Sequence, residues 1–122
     1  MSQTQTADFI REFFDLLNKK EFDALKDHLT PGVVFHFPGT NPLHGPKKVT
    51  QLMRIIYRKY PDLTFQVQDI IAQGNKIAVT WENAGRDSSG NPYNNQGVTI
   101  MKIDQGKISY LSDYFKDTSF RT

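Results

Sequence analysis

An α+β fold, with helices first and an antiparallel sheet after them, is expected from two patterns in the chain. Apolar residues recur at helical spacing over its first half and alternate at period two over its second. Turn residues supply a third observation: Pro31-Gly32, Tyr60-Pro61, Gly74-Asn75, "DSSGNP" and "QGK" divide the 122 residues into three helices and five strands. That length supports one apolar core, and hence a single domain over residues 1–122, without repeats or linkers.

The first helix follows from Phe9, Phe13, Leu16 and Leu17 on one stripe, with Thr6 the expected cap and Lys19-Lys20 closing the segment. "EFDALKDHL" then reads as a shorter helix that turns Phe22, Leu25 and Leu29 inward and stops at Pro31-Gly32. "VVFHF" is a strand by its branched and aromatic content. After the loop "PGTNPLHG", Pro46 suits the first turn of a third helix, whose buried face is Val49, Leu52, Met53 and Ile56. "LTFQVQDIIAQ", "KIAVTWENAG", "NQGVTIMKID" and "ISYLSDYF" complete an antiparallel meander.

Composition narrows the function. Hydrophobic residues at 38% and charged residues at 23% are those of an ordinary globular domain. Fifteen basic against thirteen acidic side chains leave a net charge of +2, without the clustered basic stripe that nucleic acid requires, so no nucleic-acid partner is expected. The absence of cysteine excludes disulfides, thiolate metal sites and cysteine nucleophiles. "MSQTQTADFIREFF" lacks the pattern of an export signal, and no stretch approaches the ~18 apolar residues of a membrane span. A cytoplasmic protein without a membrane partner is expected.

A sheet that covers helices with one apolar face must curl, and a curled sheet encloses a pocket. Parity assigns Ile77, Val79, Trp81 and Asn83 to one face of their strand, Thr99, Met101 and Ile103 to that of the next, and Leu111, Asp113 and Phe115 to that of the last. Polar Asn83, Thr99 and Asp113 thus fall in otherwise apolar rows.

The order of elements, together with "FDALKDHLTPGVVFHFPGTNPLHGPKKV", "GNKIAVTWENAG", "GVTIMKIDQGKI" and "YLSDYF", resembles the SnoaL-like branch of the nuclear transport factor two-like superfamily, relatives of ketosteroid isomerase and polyketide cyclases. The resemblance runs nearly end to end and implies a conical α+β barrel, three N-terminal helices packed in a strongly curved, mostly antiparallel sheet around an apolar pocket. The isomerase machinery does not carry over. Its catalytic aspartate would precede the loop proline, where Phe37 stands, its oxyanion tyrosine would fall on Phe13, and its oxyanion-hole acid on Thr99. Lacking both a general base and strong donors for an enolate, this chain is not expected to isomerise steroids by that route.

In the SnoaL-like cyclases a pocket aspartate lies on the last strand, and the resemblance carries that position to Asp113, although the His-Trp pair that commonly precedes it is Leu111-Ser112 here. An aspartate in an apolar cone has a raised pKa, which suits a base that removes a carbon-bound proton; the structural alternative is that Asp113 only bonds a neighbouring strand's Thr or Asn. The expected pocket comprises Phe13, Leu17, Phe35, Phe37, Met53, Trp81, Asn83, Thr99, Met101, Leu111 and Phe115, with room for at least a benzene-sized molecule and with Asn83, Thr99 or Trp81 as hydrogen-bond donors. His36 alternates with Phe35 and Phe37 and faces away, His44 lies in the loop near the expected mouth, and His28 ends a helix where its charge suits the dipole. Their spacing matches no metal site, and no cofactor is implied.

Two functions remain open from sequence. One is a cofactor-independent isomerase, cyclase or lyase acting on a hydrophobic carbonyl compound. The other is a non-catalytic domain that binds a small hydrophobic molecule or serves only to dimerise. Val98, Ile100, Tyr110 and Tyr114 face outward from the sheet, so a two-fold homodimer through that face is expected, with Lys102 and Glu82 nearer its polar rim.

Overall fold

The computed structural model describes residues 2–117. Helix α1 spans Gln3–Asn18, α2 Phe22–Lys26 and α3 Pro46–Lys59; strands are β1 Leu29–His36, β2 Leu43–His44, β3 Thr64–Gln73, β4 Lys76–Arg86, β5 Pro92–Asp104 and β6 Lys107–Phe115. The six strands form one open sheet in the order β2-β1-β6-β5-β4-β3, antiparallel except for the β1–β6 pair. Helix α1 packs on β3 at one end of the sheet and α3 on β1 and β2 at the other, which is the arrangement of an α+β cone.

Helix α1 begins earlier than Thr6. Ser2 and Gln5 form a capping box, Ser2 Oγ accepting from the Gln5 amide at 3.1 Å and Gln5 Oε1 accepting from the Ser2 amide at 2.8 Å, which satisfies two donors at the helix start. Its buried face is Ile10, Phe13, Phe14 and Leu17. The second helix is shorter than expected, because the chain enters β1 at Leu29. Pro31 and Gly32 lie inside that strand, where the β1–β6 register slips between Leu29 and Val34, and such an irregularity tolerates a residue without an amide hydrogen. The additional strand β2 pairs Val34 with His44 and Phe35 with Leu43; two residues are too few to show a periodicity.

Helix α3 starts with Pro46 after Gly45, whose φ of 91° suits glycine. It buries Val49, Thr50, Met53 and Tyr57, with Leu52 and Ile56 partly buried. Thr50 tolerates burial because its hydroxyl donates back to the carbonyls of Pro46 and Lys47, each at 3.1 Å.

Register stacks the inward residues of β4, β5 and β6 into rows. Ile77, Met101 and Leu111 form the lowest row that spans all three strands, no more than 2% exposed, with Ile103 and Ile108 paired below it. Val79, Thr99 and Asp113 come next, then Trp81, Gly97 and Phe115, then Asn83 and Asn95. The parity assignment therefore holds along all three strands, and it sets the depth of each candidate residue.

Candidate functional site

A cavity opens above the lowest row. Leu17, Met53, Ile56, Tyr57, Tyr60 and Leu63 line it from the helical side. The sheet contributes Phe35 from β1, Phe65 from β3, Trp81 and Asn83 from β4, Tyr93 and Asn95 from β5, and Asp113 and Phe115 from β6; Phe37 follows the end of β1. Aromatic rings meet around it in series: Phe35 and Phe37 at 5.8 Å between centroids, Phe37 and Phe115 at 5.6 Å, Phe115 and Trp81 at 6.2 Å, Trp81 and Phe65 at 4.9 Å.

Of the residues expected here, Leu17, Phe35, Phe37, Met53, Trp81, Asn83, Asp113 and Phe115 reach the cavity. Phe13, Met101 and Leu111 lie in the core instead: Phe13 packs edge-on against Phe14 and the other two belong to the sealed lowest row. Thr99 stands behind Asp113. The cavity measures about 60 Å³. That is less than half of the roughly 150 Å³ that admits benzene, so the expected ready-made room is absent because the rings close on one another. Phe37, Phe65, Ile56 and Phe115 are only partly buried.

Asp113 is the central group. The Trp81 indole N–H donates to Thr99 Oγ1 at 2.9 Å, and the Thr99 hydroxyl donates to Asp113 Oδ1 at 2.7 Å. This relay uses neighbouring strands and holds the carboxyl in one orientation. It also engages the donors of Trp81 and Thr99, so of the three expected donors only Asn83 remains for a ligand. Burial pushes the Asp113 carboxyl up to about 7, against the opposing effect of the Thr99 hydrogen bond. Gly97 makes the relay possible. A methyl group there would lie 2.7 Å from Trp81 Cζ2 and Cη2 and 2.5 Å from the Tyr114 carbonyl oxygen, so the indole lies across β5 only where no side chain intervenes.

Sequence reasoning missed Ile56, Tyr57, Tyr60, Leu63, Phe65, Tyr93 and Asn95 as cavity residues. Tyr60 and Tyr93 stack at 4.2 Å, and Asn95 Nδ2 donates to the Tyr93 hydroxyl at 3.0 Å and to the Asp117 carbonyl at 2.7 Å. A signal existed for Tyr93 and Asn95, since extending the β5 alternation back from Thr99 through Gly97 reaches both. Met53 likewise points, one helical turn on, to Tyr57.

The histidines stand outside the cavity. His36 is exposed and tilted against the Tyr110 ring at 5.4 Å, and His44 is exposed on β2. His28 stacks on Phe9 at 4.9 Å with Nε2 at 3.5 Å from Glu12. Among the described residues, no three His, Asp or Glu side chains gather as a metal site, and no helix is long and apolar enough to cross a membrane.

A small α+β cone with a buried carboxylate in an aromatic cavity is the class of protein that fold and site define. The sequence pattern of the SnoaL-like domain matches residues 10–111, and the chain belongs to that family. No curated protein matches it in sequence. Among solved structures it is similar to an NTF2-like protein of unknown function from Exiguobacterium sp. 255-15, at 23% identity over 90% of this chain and 99% of that one, with a TM-score of 0.80. It is also similar to a proposed SnoaL-like polyketide cyclase from Jannaschia sp. CCS1, at 17% identity, 93% and 86% coverage and a TM-score of 0.84. A third similar structure is AclR, a proposed hydroxylase from Streptomyces galilaeus, at 17% identity, 94% and 81% coverage and a TM-score of 0.82. At these identities the likeness carries the fold, and the differing activities proposed for the neighbours leave the reaction to be argued from the site.

Proposed function

We propose that the chain is a cofactor-independent enzyme of the isomerase, cyclase or lyase type, in which Asp113 removes a proton from a carbon beside the carbonyl of a small hydrophobic substrate. The observation that carries this reading is the Asp113 carboxyl on the wall of an apolar cavity, oriented by Thr99. With its pKa near 7, a large fraction is ionised at neutral pH, and the ionised form is a stronger base than an ordinary carboxylate. The carbon–hydrogen bond breaks, the proton passes to Asp113, and the bonding pair moves toward the carbonyl oxygen. Return of the proton at another carbon, closure onto a second carbonyl, or loss of a leaving group would give the three reaction types.

Deuterium uptake tests this reading. In D₂O the protein is expected to accelerate exchange at the α-carbon of 2-acetylnaphthalene, 2-tetralone or cyclohexenone, followed by proton NMR, and Asp113→Asn is expected to lower that rate by about 10²-fold or more. Exchange that is equal in the two proteins would remove the base. The alternative, a non-catalytic binding domain for a small hydrophobic molecule, is favoured by the engagement of Trp81 and Thr99 with each other, which leaves neither to stabilise an enolate. On that alternative, Asp113→Asn binds the same compounds and neither protein exchanges them.

A further inference from the structure

Two other polar groups of the cavity wall have no role in the proton transfer. Tyr57 and Asn83 are each only 7% exposed, and among the described residues the Tyr57 hydroxyl and Asn83 Oδ1 are buried without a hydrogen-bond partner. They stand on opposite walls, Tyr57 on α3 and Asn83 on β4, and both line the same cavity as Asp113. A folded protein rarely leaves such atoms unpaired, because water satisfies them in the unfolded chain. Two in one small cavity point to a partner that arrives with the ligand. Their senses are complementary: a tyrosine hydroxyl can donate, whereas an amide oxygen only accepts.

Their position defines the ligand further. Val79 is level with Asp113 through Thr99, and Asn83 lies four residues further along β4, which is about 13 Å of strand. The walls between are the rings of Trp81, Phe65 and Phe115, which favour a flat occupant; because about 60 Å³ does not admit one unmoved, the partly buried Phe65 and Phe115 must give way to it.

We propose that the ligand is a flat, elongated carbonyl compound whose far end carries a hydroxyl group, bound by the Tyr57 hydroxyl and Asn83 Oδ1, while its acidic carbon lies at Asp113. The proposal rests on the reading of Asp113 as base for the placing of the carbonyl end, and adds the residues that select the other end.

A matched pair of probes separates the two: 6-hydroxy-2-acetylnaphthalene and 2-acetylnaphthalene, which differ only in the hydroxyl. Calorimetric titration of the wild type is expected to show a preference of about tenfold or more for the hydroxylated compound, since a site built to hydrogen-bond a hydroxyl rejects the analogue lacking it. Tyr57→Phe and Asn83→Leu are each expected to bring that ratio toward one. Without ligand both variants are expected to melt at or above the wild-type temperature, because each removes an unpaired polar atom. A wild-type ratio near one, a ratio unchanged in the variants, failure of both probes to bind, or a lowered melting temperature in both variants would each overturn the proposal. Deuterium uptake at the acetyl methyl is read in the same samples. A retained hydroxyl preference without uptake would sink the base and leave the selection of the far end standing; uptake without the preference would do the reverse.

Discussion

A carboxylic acid on β6 has its charge set by its row. Asp113 sits one row above sealed hydrocarbon, and desolvation there favours the protonated form over the ionised one. Stability is linked to that preference. Below the ordinary carboxyl pKa of about 3.9 the group is protonated in both the folded and unfolded states, and nothing is lost. Between there and about 7 the unfolded chain ionises first, so folding stability falls as pH rises, and above the folded pKa the loss levels off. Asp113→Asn removes the titration while keeping an oxygen for Thr99. Urea unfolding at pH 5 and pH 8 is therefore expected to show the variant gaining on the wild type by a few kcal/mol as pH rises. A constant gap would mean that Asp113 is solvated in the folded state.

At the scale of elements, the helices meet the sheet through specific polar joints as well as apolar packing. Asn18, the last residue of α1, pairs with the backbone of Phe65 on β3: its Nδ2 donates to the Phe65 carbonyl at 2.9 Å, and its Oδ1 accepts from the Phe65 amide at 2.8 Å. A side-chain amide thus takes the place of a neighbouring strand on a sheet edge. Asn18→Ala would leave both backbone groups of a partly buried segment unpaired. A loss of about 1–3 kcal/mol is expected, with faster hydrogen exchange at the Phe65 amide. Protection unchanged at that amide would show that the joint does not hold the edge.

What the sequence disclosed follows the same division. Periodicity located the two long helices and the meander, since each buries a long regular face, and it overran the five-residue α2; parity placed Trp81, Asn83, Asp113 and Phe115 on the cavity side. It failed where local signals compete: Ser2 and Gln5 cap the first helix more fully than Thr6, and Pro31 sits inside a strand because the register slips there. The cavity rim was the hardest part to read. Phe65, Tyr60 and Tyr93 come from an edge strand, a helix end and a strand start, and nothing local in the chain brings them together. The closing of the rings to about 60 Å³ likewise depends on packing across the cone.

For the whole molecule, the outer face of the sheet bears on assembly. Val98, Ile100 and Tyr110 are half-buried there, and Tyr114 is 59% exposed. Lys102 does not stand clear of this face, since its Nζ lies 4.9 Å from the Tyr110 ring centroid, a contact that helps cover the aromatic surface. We propose a two-fold homodimer in which these faces pack together. Light scattering at micromolar concentration is expected to give a dimer mass, and Ile100→Glu a monomer mass; a monomeric wild type would refute it.

The stacked rows of β4, β5 and β6 also bear on how such a protein diverges. Ile77, Met101 and Leu111 belong to the core, whereas Asn83 and Asn95, three rows above, line the cavity. Because the two sets are three rows apart in register, an exchange at the upper row would reshape the cavity wall while the lower row goes on specifying the same cone. Inheritance can then preserve an architecture while its chemistry drifts, row by row, from the upper rows downward.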